Sequence, residues 1–204
     1  MARDPSLLTR KQHKLLAELE SMAESFGLDY ANIRDYEPDA RTPILEVIKN
    51  KLVRGQVIMW YTLVDEFLNA EMCHYFFGKK RSFKQLWKTK KFQIFNHHII
   101  EELYLLPKLR LVKAVRSIPK PITQNVEALN ALRNALAHAF FPENLRKAKP
   151  TWRGKNIFSS EGSERFMSDM HRIADFFLKR DKGAAEVPEP NPALQGTRDE
   201  AGHP

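Results

Sequence analysis

The chain has 204 residues, 43% of them hydrophobic and 28% charged, which is enough for one globular domain with a proper core. The single cysteine, Cys73, excludes an intramolecular disulfide. No apolar run approaches the ~18 residues of a membrane span, and the first residues contain no apolar signal core. The sequence therefore predicts a soluble, cytoplasmic protein without a membrane partner.

The positive charge is unevenly distributed. The formal net charge is +8, yet residues 181–204 are acidic overall, so the positive charge is concentrated in residues 1–180. A body this basic favours polyanionic partners, nucleic acid first. The alternative is an ordinary solvated basic surface.

Apolar residues recur every three to four positions along most of the chain, which predicts an all-α protein. In chain order the pattern predicts helices at about 4–27, 42–77, 82–103, 108–116, 123–140 and 163–180. Gly78 is predicted to end the second helix, and Gly55 is a candidate kink within it. Residues 142–161 are predicted to be a basic loop. We thus expect an N-terminal helix and loop (1–41), a helical bundle (42–180) and a disordered, acidic, proline-rich tail (181–204).

The helix predicted at 123–140 contains the segment that looks chemically purposeful, Arg133 to His138. Its apolar residues form one stripe, whereas Asn134 and His138, four positions apart, share a face nearly opposite that stripe. Arg133 lies at the edge of the stripe, and its long side chain can bend toward the same groove. The many alanines of this helix favour close approach of another helix.

The residue types of this segment suit RNA cleavage without a metal. Arg133 supplies a permanent charge and a planar fork for phosphate, and His138 can transfer protons near neutral pH. Asn134 can orient the imidazole or bind a phosphate oxygen. Acid–base cleavage prefers two proton-transfer groups, and a symmetric dimer would supply the second histidine. The alternative is structural: Arg133 pairs with Glu127 or a neighbouring helix, and His138 suits the dipole of the last helical turn.

The residues Leu132-Arg133-Asn134-Ala135-Leu136-Ala137-His138 resemble the signature of the HEPN superfamily (higher eukaryote and prokaryote nucleotide-binding). In that signature a histidine follows an arginine after four to six intervening positions. The setting is also similar, with an earlier long helix that contains Trp60-Tyr61-Thr62-Leu63-Val64-Asp65-Glu66-Phe67-Leu68, then connecting helices, the motif helix and a closing helix. The likeness covers roughly residues 43–180.

The resemblance implies an up-and-down bundle of four to five core helices that dimerises with its motif helices facing each other. It also implies a metal-independent endoribonuclease, often a toxin with an antitoxin partner or a phage-defence component, with Arg133, Asn134 and His138 in the site. Other members of the family are catalytically inactive modules that bind nucleic acid, nucleotide or a protein. A third possibility is a purely structural helical protein.

Basic residues elsewhere are predicted to bind RNA. The densest segment interleaves lysines with Phe83, Trp87 and Phe92, a pattern typical either of base stacking or of an amphipathic core helix. A second basic segment contains Trp152. From the two segments we single out Lys79, Lys80, Arg81, Lys84, Lys88, Lys147, Lys149 and Arg153.

No cofactor and no metal site is predicted. Cys73, His74, His97 and His98 lack a recognisable metal spacing. The adjacent acids Asp65-Glu66 and Glu101-Glu102 point to different helix faces and read as solvated or ion-paired, although Asp65 or Glu66 could line the groove beside the motif helix.

Overall fold

The computed structural model describes residues 33–78, 83–137 and 150–179, which are almost entirely helical; the predicted all-α class is confirmed. The helices are α1 (Pro38–Phe77), α2 (Phe83–Leu86), α3 (Lys90–Phe95), α4 (Leu105–Val115), α5 (Lys120–Ala137) and α6 (Ser160–Leu178). A 3-10 turn (Ile33–Asp35) precedes α1, a π-helical turn (Asn96–Ile100) continues α3, and an antiparallel hairpin of β1 (Thr151–Trp152) and β2 (Lys155–Asn156) precedes α6. The predicted N-terminal helix and acidic tail lie outside the described residues.

Helix α1 is the 40-residue element against which α4, α5 and α6 all pack. It begins at Pro38 rather than at the predicted Thr42, because proline also fits the first helical position. The predicted division at residues 41 and 42 therefore falls inside α1. The predicted end is confirmed: Gly78 has φ +76°, and its N–H donates to the carbonyl oxygen of His74 at 3.0 Å. None of the helices in the described ranges combines the length and apolarity needed to cross a membrane.

The prediction of a single helix over 82–103 is wrong, because α2 ends at Leu86 and a new helix, α3, begins at Lys90. Thr89 causes the restart: its hydroxyl donates to the carbonyl oxygen of Leu86 at 2.8 Å and accepts from the amide of Phe92 at 3.3 Å. The predicted cap Ser82 lies outside the described residues.

The next two helices begin before the predicted positions, and each has a proline in its first turn. Helix α4 starts at Leu105, before the expected Lys108, with Pro107 in its first turn, and α5 starts at Lys120 with Pro121 in its first turn. Backbone N–H groups in the first turn of a helix have no intrahelical partner, so a proline there removes no hydrogen bond of the helix. Helix α5 is described as far as Ala137, and His138 and the predicted helix end at Phe140 lie beyond it.

Residues 150–156 form the β1–β2 hairpin where a loop was predicted. Its two-residue turn has Arg153 at φ +47° and Gly154 at φ +77°, the backbone of a type I′ turn. Helix α6 then begins three positions before the predicted Ser163, because the Ser159 hydroxyl caps it by accepting from the amide of Gly162 at 3.1 Å.

The described helices share one hydrophobic core. Leu129, Leu132 and Leu136 of α5 are buried, as predicted, and Phe140 lies outside the described residues. They pack with apolar residues of the other helices and the hairpin, among them Val64, Leu68, Leu105, Leu109, Trp152, Phe166, Met170 and Ile173. The stripe of α5 faces this core, so its opposite face is left at the surface.

A buried carboxylate, Asp169, fastens the hairpin to the helices. It is 3% exposed and accepts from the Trp152 indole at 3.0 Å, and it pairs with the guanidinium groups of Arg153 at 2.6 Å and Arg172 at 3.3 Å. Arg153 also donates to the side-chain oxygen of Asn125 on α5 at 2.9 Å. Because one carboxylate holds β1, the turn and α6 together, the hairpin is fixed against the bundle.

Candidate functional site

Arg133 and Asn134 are both exposed on α5, Arg133 at the edge of the core stripe and Asn134 farther from it. The Arg133 guanidinium donates to the side-chain oxygen of Asn134 at 3.1 Å and lies 5.2 Å from the ring centroid of Tyr61 on α1. Ring and amide thus hold the arginine toward α1, as its position at the stripe's edge allows. His138 lies outside the described residues, so its alignment with Asn134 stays a prediction.

Two cavities meet at Arg133, and Tyr61 and Tyr104 line both as well. The smaller, about 360 Å³, is also lined by Asn130 and Asn134 of α5 and by Leu106 and Pro107 of α4. The larger, about 580 Å³, extends toward the helices that follow α1. Arg133 therefore stands at the junction of an amide-lined cavity and a larger one.

Acidic side chains line the larger cavity. Asp65, Glu66 and Glu101 all contribute, so the prediction that Asp65 or Glu66 lines the groove beside α5 is confirmed for both. Asp65 is ion-paired with Lys108 at 2.7 Å and accepts from the amide of Asn69 at 3.3 Å. Glu101 accepts from Asn96 at 2.6 Å. Glu66 is exposed and has no hydrogen-bond or ion-pair partner among the described residues.

Lys108 is a site residue that sequence reasoning missed. Its side chain is only 5% exposed although it carries a charge, and its ion pair with Asp65 joins α4 to α1 beneath the cavity. The sequence did contain a signal, because Lys108 falls on the same face of α4 as Leu105, Leu109 and Val112. A lysine within a buried apolar stripe needs an acidic partner.

Aromatic rings form the other wall of the larger cavity. Phe83 and Trp87, which were predicted either to stack on bases or to enter the core, line the cavity and stay partly exposed, Trp87 at 49%. Phe92 lines it too but is buried in the core. Tyr104, missed by the sequence, is 80% exposed beside Arg133.

The predicted RNA-binding residues fall into three groups. Lys84 and Lys88 are exposed beside the aromatic wall, and their role stays a prediction. Arg153 has its guanidinium engaged by Asp169 and Asn125, contacts that give it a structural role in the hairpin. The others lie outside the described residues: Lys79, Lys80, Arg81, Lys147 and Lys149.

Arg54 of α1 contacts the last described turn of the motif helix. It donates to the carbonyl oxygen of Leu136 in the last described turn of α5, and to the side-chain oxygen of Asn50 at 2.6 Å. Burial lowers the pKa of its guanidinium from the usual value.

Cys73 and the histidines form no metal centre within the described residues, where no group of three metal-ligating side chains comes together. Burial, reinforced by the nearby charge of Glu66, raises the pKa of the Cys73 thiol to about 11. His97 contacts the Glu101 carboxylate at 3.1 Å.

Comparison of the chain with protein-family models, with curated proteins and with solved structures finds no match in any of the three. The likeness to the HEPN superfamily therefore rests on the motif residues and their helical setting.

Proposed function

We propose that the protein is a metal-independent endoribonuclease of the HEPN type, with Arg133, Asn134 and His138 in its site. The observation that carries the proposal is the position of Arg133 and Asn134, exposed on α5 and lining a cavity, with the guanidinium held beside Tyr61. A fixed arginine fork with an adjacent amide is suited to bind the phosphate of an RNA backbone.

The chemistry is an internal displacement within the RNA strand. The 2′-hydroxyl oxygen attacks the neighbouring phosphorus, the bond from phosphorus to the 5′ oxygen breaks, and a 2′,3′-cyclic phosphate and a 5′-hydroxyl end result. One histidine accepts the proton of the 2′-hydroxyl and another donates a proton to the leaving 5′ oxygen. Arg133 stabilises the charge that develops on the phosphate oxygens.

A homodimer supplies the second histidine in this proposal. Ala128 and Ala131 are exposed on α5, where small side chains permit close approach of a second α5. Ala131 is seven positions before His138, so the two residues would share one face of the helix predicted at 123–140. Facing motif helices would then place His138 of the partner subunit opposite His138 of the first.

The test is incubation of the full chain with RNA in excess EDTA, beside the His138→Ala and Arg133→Ala variants. Arg110→Ala is the matched control, because Arg110 is an exposed arginine that lines neither cavity. We expect wild type and Arg110→Ala to leave cyclic phosphate ends, and each motif variant to lose at least about a hundredfold in rate. Equal degradation by wild type and His138→Ala, or no cleavage of any RNA, contradicts the proposal.

A second candidate is a catalytically inactive HEPN-like module that binds nucleic acid, nucleotide or a protein partner. The observation that favours it is the size of the larger cavity, about 580 Å³, which lies within the range of small-ligand sites. RNA or nucleotide binding without cleavage, unchanged in His138→Ala, would select this candidate.

The cellular role we propose is that of a cytoplasmic toxin or phage-defence component, held in check by an antitoxin or another protein partner. Expression of the wild-type chain should then arrest growth, and His138→Ala should relieve the arrest. Equal growth with both chains would contradict this role.

A further inference from the structure

The two cavities that meet at Arg133 differ in their chemistry. The smaller one offers the guanidinium and the amides of Asn130 and Asn134. The larger one offers carboxylates and aromatic rings. A nucleotide has a corresponding division between an anionic phosphate and an uncharged, flat base. The phosphate therefore fits the chemistry of the smaller cavity, and the base fits that of the larger cavity.

The charges of the larger cavity oppose a phosphate within it. Lys108 is ion-paired with Asp65, so its charge is already compensated. Among the described residues that line the cavity, Glu66 and Glu101 then leave an excess of negative charge over the positive charge of Arg133. An anion in this cavity would be repelled, whereas N–H donors would be attracted.

The rings of the larger cavity suit a flat ligand. Trp87 and Tyr104 line this cavity with their side chains partly or largely exposed, and Trp87 is held by a T-shaped contact with Phe92 at 5.2 Å. Exposed aromatic faces are the usual platforms for unstacked RNA bases.

We propose that the larger cavity binds a nucleobase with an exocyclic amino group (adenine, guanine or cytosine), which donates to the Glu66 carboxylate while the ring stacks on Trp87 or Tyr104. Uracil presents carbonyl oxygens on both sides of its one N–H, so the carboxylate repels it. The proposal rests on the proposed function, since it places the base of an RNA whose phosphate lies at Arg133.

The test is equilibrium dialysis of the full chain with the nucleosides adenosine, purine riboside and uridine. Purine riboside lacks only the amino group of adenosine, so the pair isolates one hydrogen bond. We expect adenosine to bind at least about tenfold more tightly than either other nucleoside. In Glu66→Ala the preference for adenosine over purine riboside should disappear. Glu164→Ala, which removes an exposed carboxylate of α6 outside the cavity, should retain it.

The aromatic part of the proposal has its own pair of variants. Trp87→Ala should weaken all three nucleosides by about tenfold, while Tyr75→Ala, which removes an exposed ring outside the cavity, should not. No binding of adenosine at millimolar concentration, equal binding of adenosine and uridine, or a preference unchanged in Glu66→Ala overturns the proposal.

Nucleosides carry no scissile phosphate, so the two proposals fail separately. Adenosine binding without RNA cleavage contradicts only the endoribonuclease, and cleavage by a protein that binds no nucleoside contradicts only the base site.

Discussion

At the scale of single residues, the ion pair of Lys108 with Asp65 couples the site to the stability of the fold. Because Lys108 is nearly buried, its loss leaves a carboxylate without its partner beneath the cavity. Lys108→Met should lower the free energy of unfolding by about 3 kcal/mol, the lower end for buried pairs, since the Asp65 side chain keeps 23% exposure. Urea denaturation measures the change.

The matched control for that prediction is Arg110→Met, two positions further along α4 and exposed. The double variant Asp65→Asn with Lys108→Met should recover part of the loss, because no unpaired charge remains. If Lys108→Met is as stable as Arg110→Met, the ion pair does not stabilise the fold.

Cys73 makes the stability depend on pH. Its folded-state pKa of about 11 lies above the ordinary 9.0, so the folded protein retains a proton that the unfolded chain loses. The stability contributed by the neutral thiol is fully present below pH 9.0 and is lost as the pH rises toward 11. Between pH 8 and 10.5, wild type should lose about 2 kcal/mol more than Cys73→Ala by urea denaturation. Equal losses in the two proteins would contradict the assignment.

The motif residues were identifiable from the sequence, whereas most of the cavity was not. Spacing alone placed Asn134 nearly opposite the apolar stripe of α5 and Arg133 at the edge of that stripe, and both residues are exposed. Tyr61 belongs to α1, whereas Glu101 and Tyr104 belong to the connection before α4, and their convergence with Arg133 depends on how α1, α4 and α5 pack. Tertiary contacts of this kind leave no periodic signal in a single sequence.

At the scale of elements, two glycines in helices should respond oppositely to the same change. A Cβ atom on Gly162 would collide with the backbone carbonyl of Asn156, which the first turn of α6 approaches closely. A Cβ atom on Gly55 of α1 would meet nothing. Gly162→Ala should cost about 2 kcal/mol or more, and Gly55→Ala should stabilise by about 0.5–1 kcal/mol.

Thermal or urea unfolding of the two glycine variants decides the point. Destabilisation by Gly55→Ala would indicate that α1 needs the freedom of a glycine, as a kink would. Tolerance of Gly162→Ala would mean that β2 and α6 can move apart at little cost.

The core face of α5 and the end of α1 at Gly78 followed from apolar periodicity and from glycine at the helix end. The helix starts at Pro38, Leu105 and Lys120 could not be predicted in this way, because proline breaks a helix from within but is also a good first-turn residue. Thr89 was missed for a similar reason: a capping hydroxyl within an apolar pattern is decided by local hydrogen bonds.

At the scale of the whole molecule, the proposed dimer makes the exposed face of α5 sensitive to charge. Ala131→Glu should produce a monomer and reduce RNA cleavage by at least about a hundredfold, because two facing helices would bury like charges. Ala114→Glu on α4 is the control at an exposed alanine. Sedimentation and the cleavage assay test both variants, and circular dichroism verifies their folding. A dimeric, active Ala131→Glu protein would contradict this arrangement.

The contacts of Asp169 with Trp152 and Arg153, and the bond from Arg54 to the Leu136 carbonyl oxygen, together bear on the connection between α5 and β1. The bond from Arg54 fastens the chain just before residues 138–149, and the contacts of Asp169 fasten it just after them. The bundle is therefore clamped on both sides of a span that contains His138, Lys147 and Lys149. We expect a chain cut within that span to keep its two pieces associated, because Arg153 donates to Asn125 across the cut and α6 packs against α1 and α5 in the shared core. The protein is therefore a candidate for splitting and reassembly.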